Sequence, residues 1–284
     1  MPVFDDEFIK SLSSSGNQLD PEWLKRFIIR DEIKRNESAK DWANKVASEL
    51  KKSGLDSFAR QVVNWYWGIE EPPATLYKYR DWGNPYHRNI LLKREIWFSH
   101  VDDLNDPQEL RQSIEDPTVG LSIDNVKIRE QLSSQFGIFS LSKENNNPVS
   151  WAHYGANFSG FCIGFKSEHI WNDTQGNMLP VIYDNRPLIT PIAVQEGIQS
   201  MQQLLAKKST HWQYENEIRL VAKIINKAVT VRNSTIAEVI VGCRMNESYK
   251  EEIREICQRE YPDLRLLEQV RSEDGISYHV QKIS

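Results

Sequence analysis

The residues best suited to chemistry lie in the stretch 208–220, which reads KSTHWQYENEIRL. Glu215, Glu217 and Arg219 occupy alternate positions, and this period of two predicts a strand with both carboxylates and the guanidinium on one face. Residues on the same side of a strand lie about 6.5–7 Å apart, so both glutamates could meet one ligand. A half-buried strand with a charged outer face shows the same pattern. Taken alone, the stretch leaves both interpretations open.

Two further strands are predicted to carry polar side chains. The segment 75–80, TLYKYR, predicts a short aromatic strand with Lys78 and Arg80 on one face. The segment 136–142, FGIFSLS, predicts a strand on which Ser140 and Ser142 share a face. Each of these strands is thus predicted to present two polar side chains on one face.

The segment 101–109, VDDLNDPQE, is dense in side chains that bond their own backbone. A capped loop is one interpretation of this composition. The other is that Asn105, Asp106 and Glu109 form one wall of a pocket.

Composition limits the class of protein. The chain has 284 residues, with 35 Lys and Arg against 40 Asp and Glu, and the net charge of −5 gives no overall attraction to nucleic acid. The N-terminus lacks the basic flank and apolar core of a secretory signal, and no apolar run approaches the roughly 18 residues of a membrane span. We therefore expect a cytoplasmic protein without a membrane partner.

The cysteines and histidines do not indicate a metal centre. Cys162, Cys243 and Cys257 are odd in number and lack C-x-x-C spacing, which indicates neither a disulfide framework nor a cysteine zinc site. The six histidines show no H-E-x-x-H spacing. We expect reduced thiols, mostly packed inside, and no metal ligand.

The patterns divide the chain into a helical N-terminal appendage, residues 1–73, and an α+β domain, residues 74–284, that carries the candidate site. Among the elements of this domain we predict helices over 122–134 and 192–207 and a strand over 178–183. Strands and helices do not alternate regularly, and no glycine-rich phosphate loop occurs. The expected class is thus mixed α+β.

Four segments resemble the bacterial family called domain of unknown function 2971. They are LYKYR at 76–80, LNDPQE at 104–109, the block from Phe139 to Phe165, and the K-x-x-x-W-x-x-E-x-E-x-R pattern at 208–219. Their order and spacing match over about residues 75–245. This resemblance implies a pocket rather than a particular reaction.

A more distant resemblance is to ADP-ribosyltransferases of the arginine-serine-glutamate type. Arg80, Ser140 with Ser142, and Glu215 with Glu217 follow the order of that family's basic residue, Ser-x-Ser strand and Glu-x-Glu pair. The resemblance implies a split β-sheet core with flanking helices, and NAD as the substrate.

In such an enzyme Glu217 would stabilise the positive charge that develops on the ribose. Glu215 would orient or deprotonate the acceptor nucleophile.

The other implied roles concern binding of NAD. Arg80 or Lys78 would neutralise the pyrophosphate, and Ser142, next to Ser140, would hold the ribose. Tyr154 or Trp151 would stack on the nicotinamide.

The implied function is modification of a macromolecule with NAD, or hydrolysis of NAD, in bacterial defence or a toxin-like role. Two alternatives stay open. One is a Mg²⁺-dependent nuclease in which Asp106, Glu109, Glu215 and Glu217 hold the metal and Lys208 meets a phosphate. The other is a non-catalytic module that binds a nucleotide or a partner. Catalysis itself, the macromolecular acceptor and the oligomeric state are not specified by the sequence.

Overall fold

The computed structural model describes eight stretches of the chain, all within the unit Pro72–Ser284. They are residues 72–109, 114–116, 121–123, 130, 133–186, 188–189, 205–274 and 276–283. The predicted N-terminal appendage lies outside the described residues, apart from its last two positions.

Fifteen strands and four α-helices are described. The strands are β1 (Thr75–Arg80), β2 (Glu95–Phe98), β3 (Ile114–Asp116), β4 (Leu121–Ile123), β5 (Gly137–Ser142), β6 (Phe161–Lys166), β7 (Asn177–Pro180), β8 (Ile182–Tyr183), β9 (Leu188–Ile189), β10 (Lys207–Lys208), β11 (Glu217–Ala222), β12 (Lys227–Thr230), β13 (Ile236–Val241), β14 (Arg265–Arg271) and β15 (Tyr278–Lys282). The α-helices are α1 (Pro85–Leu92), α2 (Pro148–Tyr154), α3 (Ser167–Thr174) and α4 (Glu247–Glu260), and short 3-10 helices span Val101–Asp103, Thr210–Glu215 and Asn233–Thr235.

Eight strands form the main sheet, in the order β15-β14-β13-β6-β1-β5-β11-β7. β13 and β14 run parallel, whereas the other neighbours in this sheet are antiparallel. The prediction of a mixed α+β fold is therefore confirmed. Smaller sheets pair β2 with β12, β8 with β10, and β3 with β4 and β9. Within the described part of the chain, no helix is both long and apolar enough to span a bilayer.

The alternation of side chains gives the main sheet two different apolar faces. One face contributes Leu76, Phe139 and Phe165 to a large core, which also contains buried residues of α1, α3 and α4. The opposite face contributes Tyr79 and Cys162 to a smaller cluster around α2. Cys162 and Cys257 are buried, and all three cysteines are free thiols, as predicted.

The sheet opens between β1 and β5, its fifth and sixth strands. Their pairing consists of one register pair, Tyr77 with Ser142. At the other end of β5, Ile138 exchanges two backbone hydrogen bonds with Ser99, which follows β2. Between these points the Lys78 ammonium donates to the Ser140 carbonyl at 2.6 Å. The Lys78 side chain thus donates to the Ser140 carbonyl in place of a backbone N–H of a neighbouring strand.

The strand predicted over 208–220 is correct only in its second half. Thr210–Glu215 is a 3-10 helix, Asn216 has left-handed backbone angles, and β11 begins at Glu217. The Ser209 side chain accepts from the His211 N–H and so caps this helix. Glu215 and Glu217 therefore lie on either side of a turn rather than on one strand face.

Other predicted elements also differ in the structure. The strand predicted over 178–183 is divided because the Val181 N–H bonds to Glu217, whereas the Ile182 N–H bonds to Ala206. Residues 122–123 belong to β4 rather than to the predicted helix. Lys207 lies in β10, and residues 192–204 of the predicted helix over 192–207 lie outside the described residues.

Gly160 offers a test of the packing behind β1. A Cβ at this position would lie 2.2 Å from the Arg80 carbonyl oxygen, closer than real Cβ atoms approach. We expect Gly160→Ala to lower the free energy of unfolding by about 1–3 kcal/mol, measured by urea denaturation, because the backbone must shift. Gly83→Ala is the control, since its nearest neighbour is the Asp81 carboxylate at 3.1 Å. Equal stability of the two variants would contradict the close approach.

Candidate functional site

A cavity of about 270 Å³ lies at the opening between β1 and β5. The cavity is lined by residues of β1, β5 and β2, of the loop after β2, of α2 and of the segment 208–217. They are Tyr77, Lys78, Tyr79, Arg80, Trp97, Ser99, Asp103, Leu104, Asn105, Ile138, Phe139, Ser140, Leu141, Ser142, Ser150, Tyr154, Lys208, Glu215 and Glu217. Eight of the nine residues predicted to bind or to catalyse are therefore brought to one cavity, and Trp151 is not.

Lys208 connects the two glutamates on the acidic wall of the cavity. Its ammonium lies 2.6 Å from Glu215 Oε2 and 3.2 Å from Glu217 Oε2. All three side chains are buried. Lys208 also lies 5.0 Å from the centre of the Trp212 ring, a cation–π contact that covers the charge on another side.

Behind this wall, Arg219 and Glu109 complete a buried ion cluster of five residues with Lys208, Glu215 and Glu217. Arg219 Nε donates to Glu217 at 3.0 Å and a terminal nitrogen donates to Glu109 at 2.6 Å, while the other donates to the Leu205 carbonyl. Three carboxylates face two cations, which leaves one net negative charge. Arg219 is 1 % exposed and does not line the cavity, so it supports Glu217 from behind.

The cluster determines the protonation of its members. Burial alone would raise the pKa of Glu217, but Arg219 and Lys208, helped by a hydrogen bond from Ser140, hold it well below the usual range. Burial opposes the charge of Lys208, yet the neighbouring carboxylates of Glu217 and Glu109 raise its pKa above the ordinary value. Glu217 is therefore an ionised carboxylate at neutral pH, and Lys208 is a cation.

Glu215 is held by hydrogen bonds to both carboxylate oxygens and to its backbone carbonyl. Its Oε1 accepts from the Tyr154 hydroxyl at 2.5 Å and from Asn105 at 3.3 Å, and its Oε2 accepts from Lys208. Burial and the Glu215 carboxylate raise the pKa of Tyr154, which keeps its hydroxyl protonated. The Ser142 hydroxyl donates to the Glu215 carbonyl at 2.8 Å. Ser142 thus holds the turn before β11, a role that differs from the predicted contact with a ribose.

The basic wall consists of Lys78 and Arg80, which alternation puts on the opposite face of β1 from Tyr77. Because Tyr77 and Glu217 both pair with Ser142, this is also the opposite face of the sheet from Glu217. The basic side chains reach the cavity through the opening. Burial lowers the pKa of Arg80 to about 10, so it stays charged at neutral pH. Burial, and then Arg80, lower the pKa of Lys78 well below its usual range.

Of the two aromatic residues predicted to stack on a ligand, Tyr154 lines the cavity and Trp151 does not. Trp151 is fully buried, donates to the Asn145 carbonyl and contacts Tyr79 edge to face, so it is not available to stack on a ligand. Trp97 was not predicted, yet it is 49 % exposed and lines the cavity. Strand alternation is the sequence signal that could have identified Trp97, because Ile96 and Phe98 on either side are buried and leave Trp97 on the outer face of β2.

The carboxylates proposed for Mg²⁺ are already engaged. Lys208 contacts Glu109, Glu215 and Glu217, while Asp106 accepts from the backbone N–H of Gln108 within its own turn. Across the described residues, no group of three or more His, Cys, Asp and Glu side chains is arranged to hold a metal ion. Of the three residues predicted to form a pocket wall, Asn105 lines the cavity, whereas Asp106 and Glu109 do not.

Arg219 provides a direct test of the ion cluster. We expect Arg219→Met to lower the free energy of unfolding by about 3–5 kcal/mol, because Glu217 and Glu109 lose a buried partner. Arg259→Met is the matched control, since Arg259 pairs with Glu260 on the surface and its loss should change stability by less than about 0.5 kcal/mol. Urea denaturation of both variants measures the difference. A similar loss of stability in both variants would show that the buried ion cluster contributes no more to stability than the exposed pair does.

Residues 150–220 match a family described as protein of unknown function (DUF2971). The matched range includes Tyr154, Lys208, Glu215, Glu217 and Arg219, whereas the segments at 76–80 and 104–109 lie outside it. Searches of curated proteins and of solved structures found no match. The resemblance to this family is thus supported over α2, β6 and the acidic wall.

Proposed function

We propose that the cavity binds a nucleotide and that the protein is an ADP-ribosyltransferase-like enzyme that cleaves NAD. The observation that carries the proposal is the convergence of Arg80, Ser140 and Glu217, from β1, β5 and β11, on one cavity. These residues are far apart in the sequence and come from three neighbouring strands. A basic residue, a serine and an ionised glutamate thus face the same space.

Glu217 suits the chemistry of NAD cleavage because of its charge. Departure of nicotinamide leaves positive charge on the ribose, and a fixed carboxylate stabilises that charge as it develops. Arg219 and Lys208 keep Glu217 ionised, and its oxygens accept from Arg219 Nε at 3.0 Å and Lys208 Nζ at 3.2 Å. Two cations also hold the side chain in one position, so little reorganisation is needed in the transition state.

Arg80, rather than Lys78, is the group suited to a phosphate. It keeps its charge at neutral pH, and its one hydrogen bond among the described residues is a long one, 3.4 Å to the Tyr79 carbonyl. A guanidinium can form two parallel hydrogen bonds to phosphate oxygens. Burial lowers the pKa of Lys78, and its amine is already bonded to the Ser140 carbonyl, so Lys78 is the poorer choice.

Glu215 and Tyr154 are suited to positioning an acceptor nucleophile. Both oxygens of Glu215 are occupied, and the Tyr154 hydroxyl that contacts it also accepts from Asn105. An acceptor hydroxyl or water at Tyr154 would meet a chain of hydrogen bonds that leads to the Glu215 carboxyl group. The volume of about 270 Å³ is just below the usual range for ligand pockets. In the proposed complex this volume would hold the nicotinamide riboside half of NAD, with the adenosine outside.

The proposed setting is bacterial defence, and this part rests on the resemblance alone.

The direct test of this proposal is incubation with NAD. We expect release of nicotinamide, detected by chromatography, and a drop of about 10²–10³-fold in rate for Glu217→Gln, since a fixed charge at the transition state is lost. The thermal melt of this variant, with and without NAD, separates a folding defect from a catalytic one. Arg259→Gln is the control, since Arg259 pairs with Glu260 on the surface and does not line the cavity; it should release nicotinamide at the wild-type rate.

Binding of NAD without turnover would favour the non-catalytic module instead. No nicotinamide release, no labelled target and no thermal shift would together reject the proposal.

Trp97 provides a second test. We expect Trp97→Ala to weaken NAD binding by about 1–3 kcal/mol, measured by calorimetry, because a stacking face at the cavity is lost. Tyr86→Ala is the matched control, since Tyr86 is an exposed aromatic residue on α1 that does not line the cavity. If both variants bind NAD equally well, the ligand does not contact Trp97.

A further inference from the structure

We propose that Lys78 is a reactive amine, which forms an imine with an aldehyde or ketone that also carries a phosphate or carboxylate. The site lies in the same cavity, but the reaction requires neither NAD nor Glu217. It therefore stands or falls separately from the proposed NAD cleavage.

The surroundings of Lys78 are those of a nucleophilic lysine rather than of a structural ion pair. Its ammonium nitrogen has one hydrogen-bond partner among the described residues, the Ser140 carbonyl at 2.6 Å, and lies 5.1 Å from the centre of the Phe139 ring. No carboxylate of the described residues forms a salt bridge with it, in contrast to Lys208, which contacts three. The bond to Ser140 uses one N–H and leaves the nitrogen lone pair of the neutral amine available.

Burial and two neighbouring cations favour the neutral form of Lys78. Burial is the largest effect and lowers its pKa, and Arg80 and Lys208 act in the same direction. Glu217 and Glu215 oppose this shift, but each is already paired within the ion cluster. A lysine that is both desolvated and next to another cation is a recognised route to a nucleophilic amine at neutral pH.

The reaction balances without an oxidant, a reductant or a metal. The lone pair of Lys78 Nζ adds to the carbonyl carbon, protons move from nitrogen to oxygen, and the oxygen leaves as water while the C=N bond forms. Arg80, two residues further on the same face of β1, supplies a lasting positive charge beside this nitrogen. A ligand with a carbonyl and an anionic group within a few bonds of each other would engage both residues.

Pyridoxal 5′-phosphate is a suitable probe, because it combines an aldehyde with a phosphate. The wild-type protein is mixed with it at neutral pH and reduced with borohydride, and the modified lysines are identified by peptide mass spectrometry. We expect Lys78 to be modified at least about tenfold faster than exposed Lys227 of β12, since each unit by which a pKa falls gives up to ten times more neutral amine. This preference should vanish when the protein is unfolded in urea before mixing.

Two variants identify the groups involved. Lys78→Arg should lose the selective label while Lys227 is still modified, and Arg80→Gln should raise the concentration of probe that is needed to label Lys78. Even if Lys78→Arg fails to fold, the comparison of the two lysines within the wild-type protein decides the question. Modification of Lys78 no faster than that of Lys227 would overturn the proposal.

Discussion

The contact between Arg219 and Glu217 is the interaction on which the candidate site depends. Both side chains are buried, and moving an ion from water into a protein interior costs several kcal/mol, so neither could be there alone. Arg219 also binds Glu109 and the Leu205 carbonyl, while Lys208 binds Glu215. The cluster thereby ties β11 to β10, to the loop after β2 and to the 3-10 helix Thr210–Glu215. Loss of Arg219 would leave Lys208 as the one remaining cation of the cluster beside three carboxylates.

The opening between β1 and β5 gives this cluster access to a ligand. A continuous ladder of backbone hydrogen bonds between β1 and β5 would separate Lys78 and Arg80, on one face of the sheet, from Glu217 on the other. Since only Tyr77 and Ser142 pair, the basic residues of β1 and the acidic wall share one cavity. The bond from Lys78 to the Ser140 carbonyl satisfies the backbone where the ladder is missing. Charges of both signs therefore line one small volume.

Local patterns predicted much of the sheet but not the way it opens. The alternation in 75–80 and 136–142 was sufficient to predict β1 and β5, because each strand has one apolar face in the core. The same alternation misled at 210–215, where the Ser209 cap and the left-handed Asn216 produce a helical turn. The burial of Trp151 could not be predicted from local alternation, since Trp151 packs against Tyr79, on the distant strand β1, and Phe158, in the loop after α2. The contact of Glu109 with Arg219 joins residues 110 positions apart, so sequence spacing contains no information about it. Lys208 is near the glutamates in sequence, but it meets Glu215 only because residues 210–215 form a 3-10 helix instead of the predicted strand.

A crystal structure of the protein soaked with ADP-ribose, the product of NAD hydrolysis, tests the central claim most directly. The account predicts ligand density in the opening between β1 and β5, with a ribose hydroxyl within hydrogen-bond distance of Glu217 and a phosphate at Arg80. The contacts of Glu217 with Arg219 and Lys208 should be retained in that complex. Density elsewhere on the molecule, or a ligand that reaches neither Arg80 nor Glu217, would contradict it.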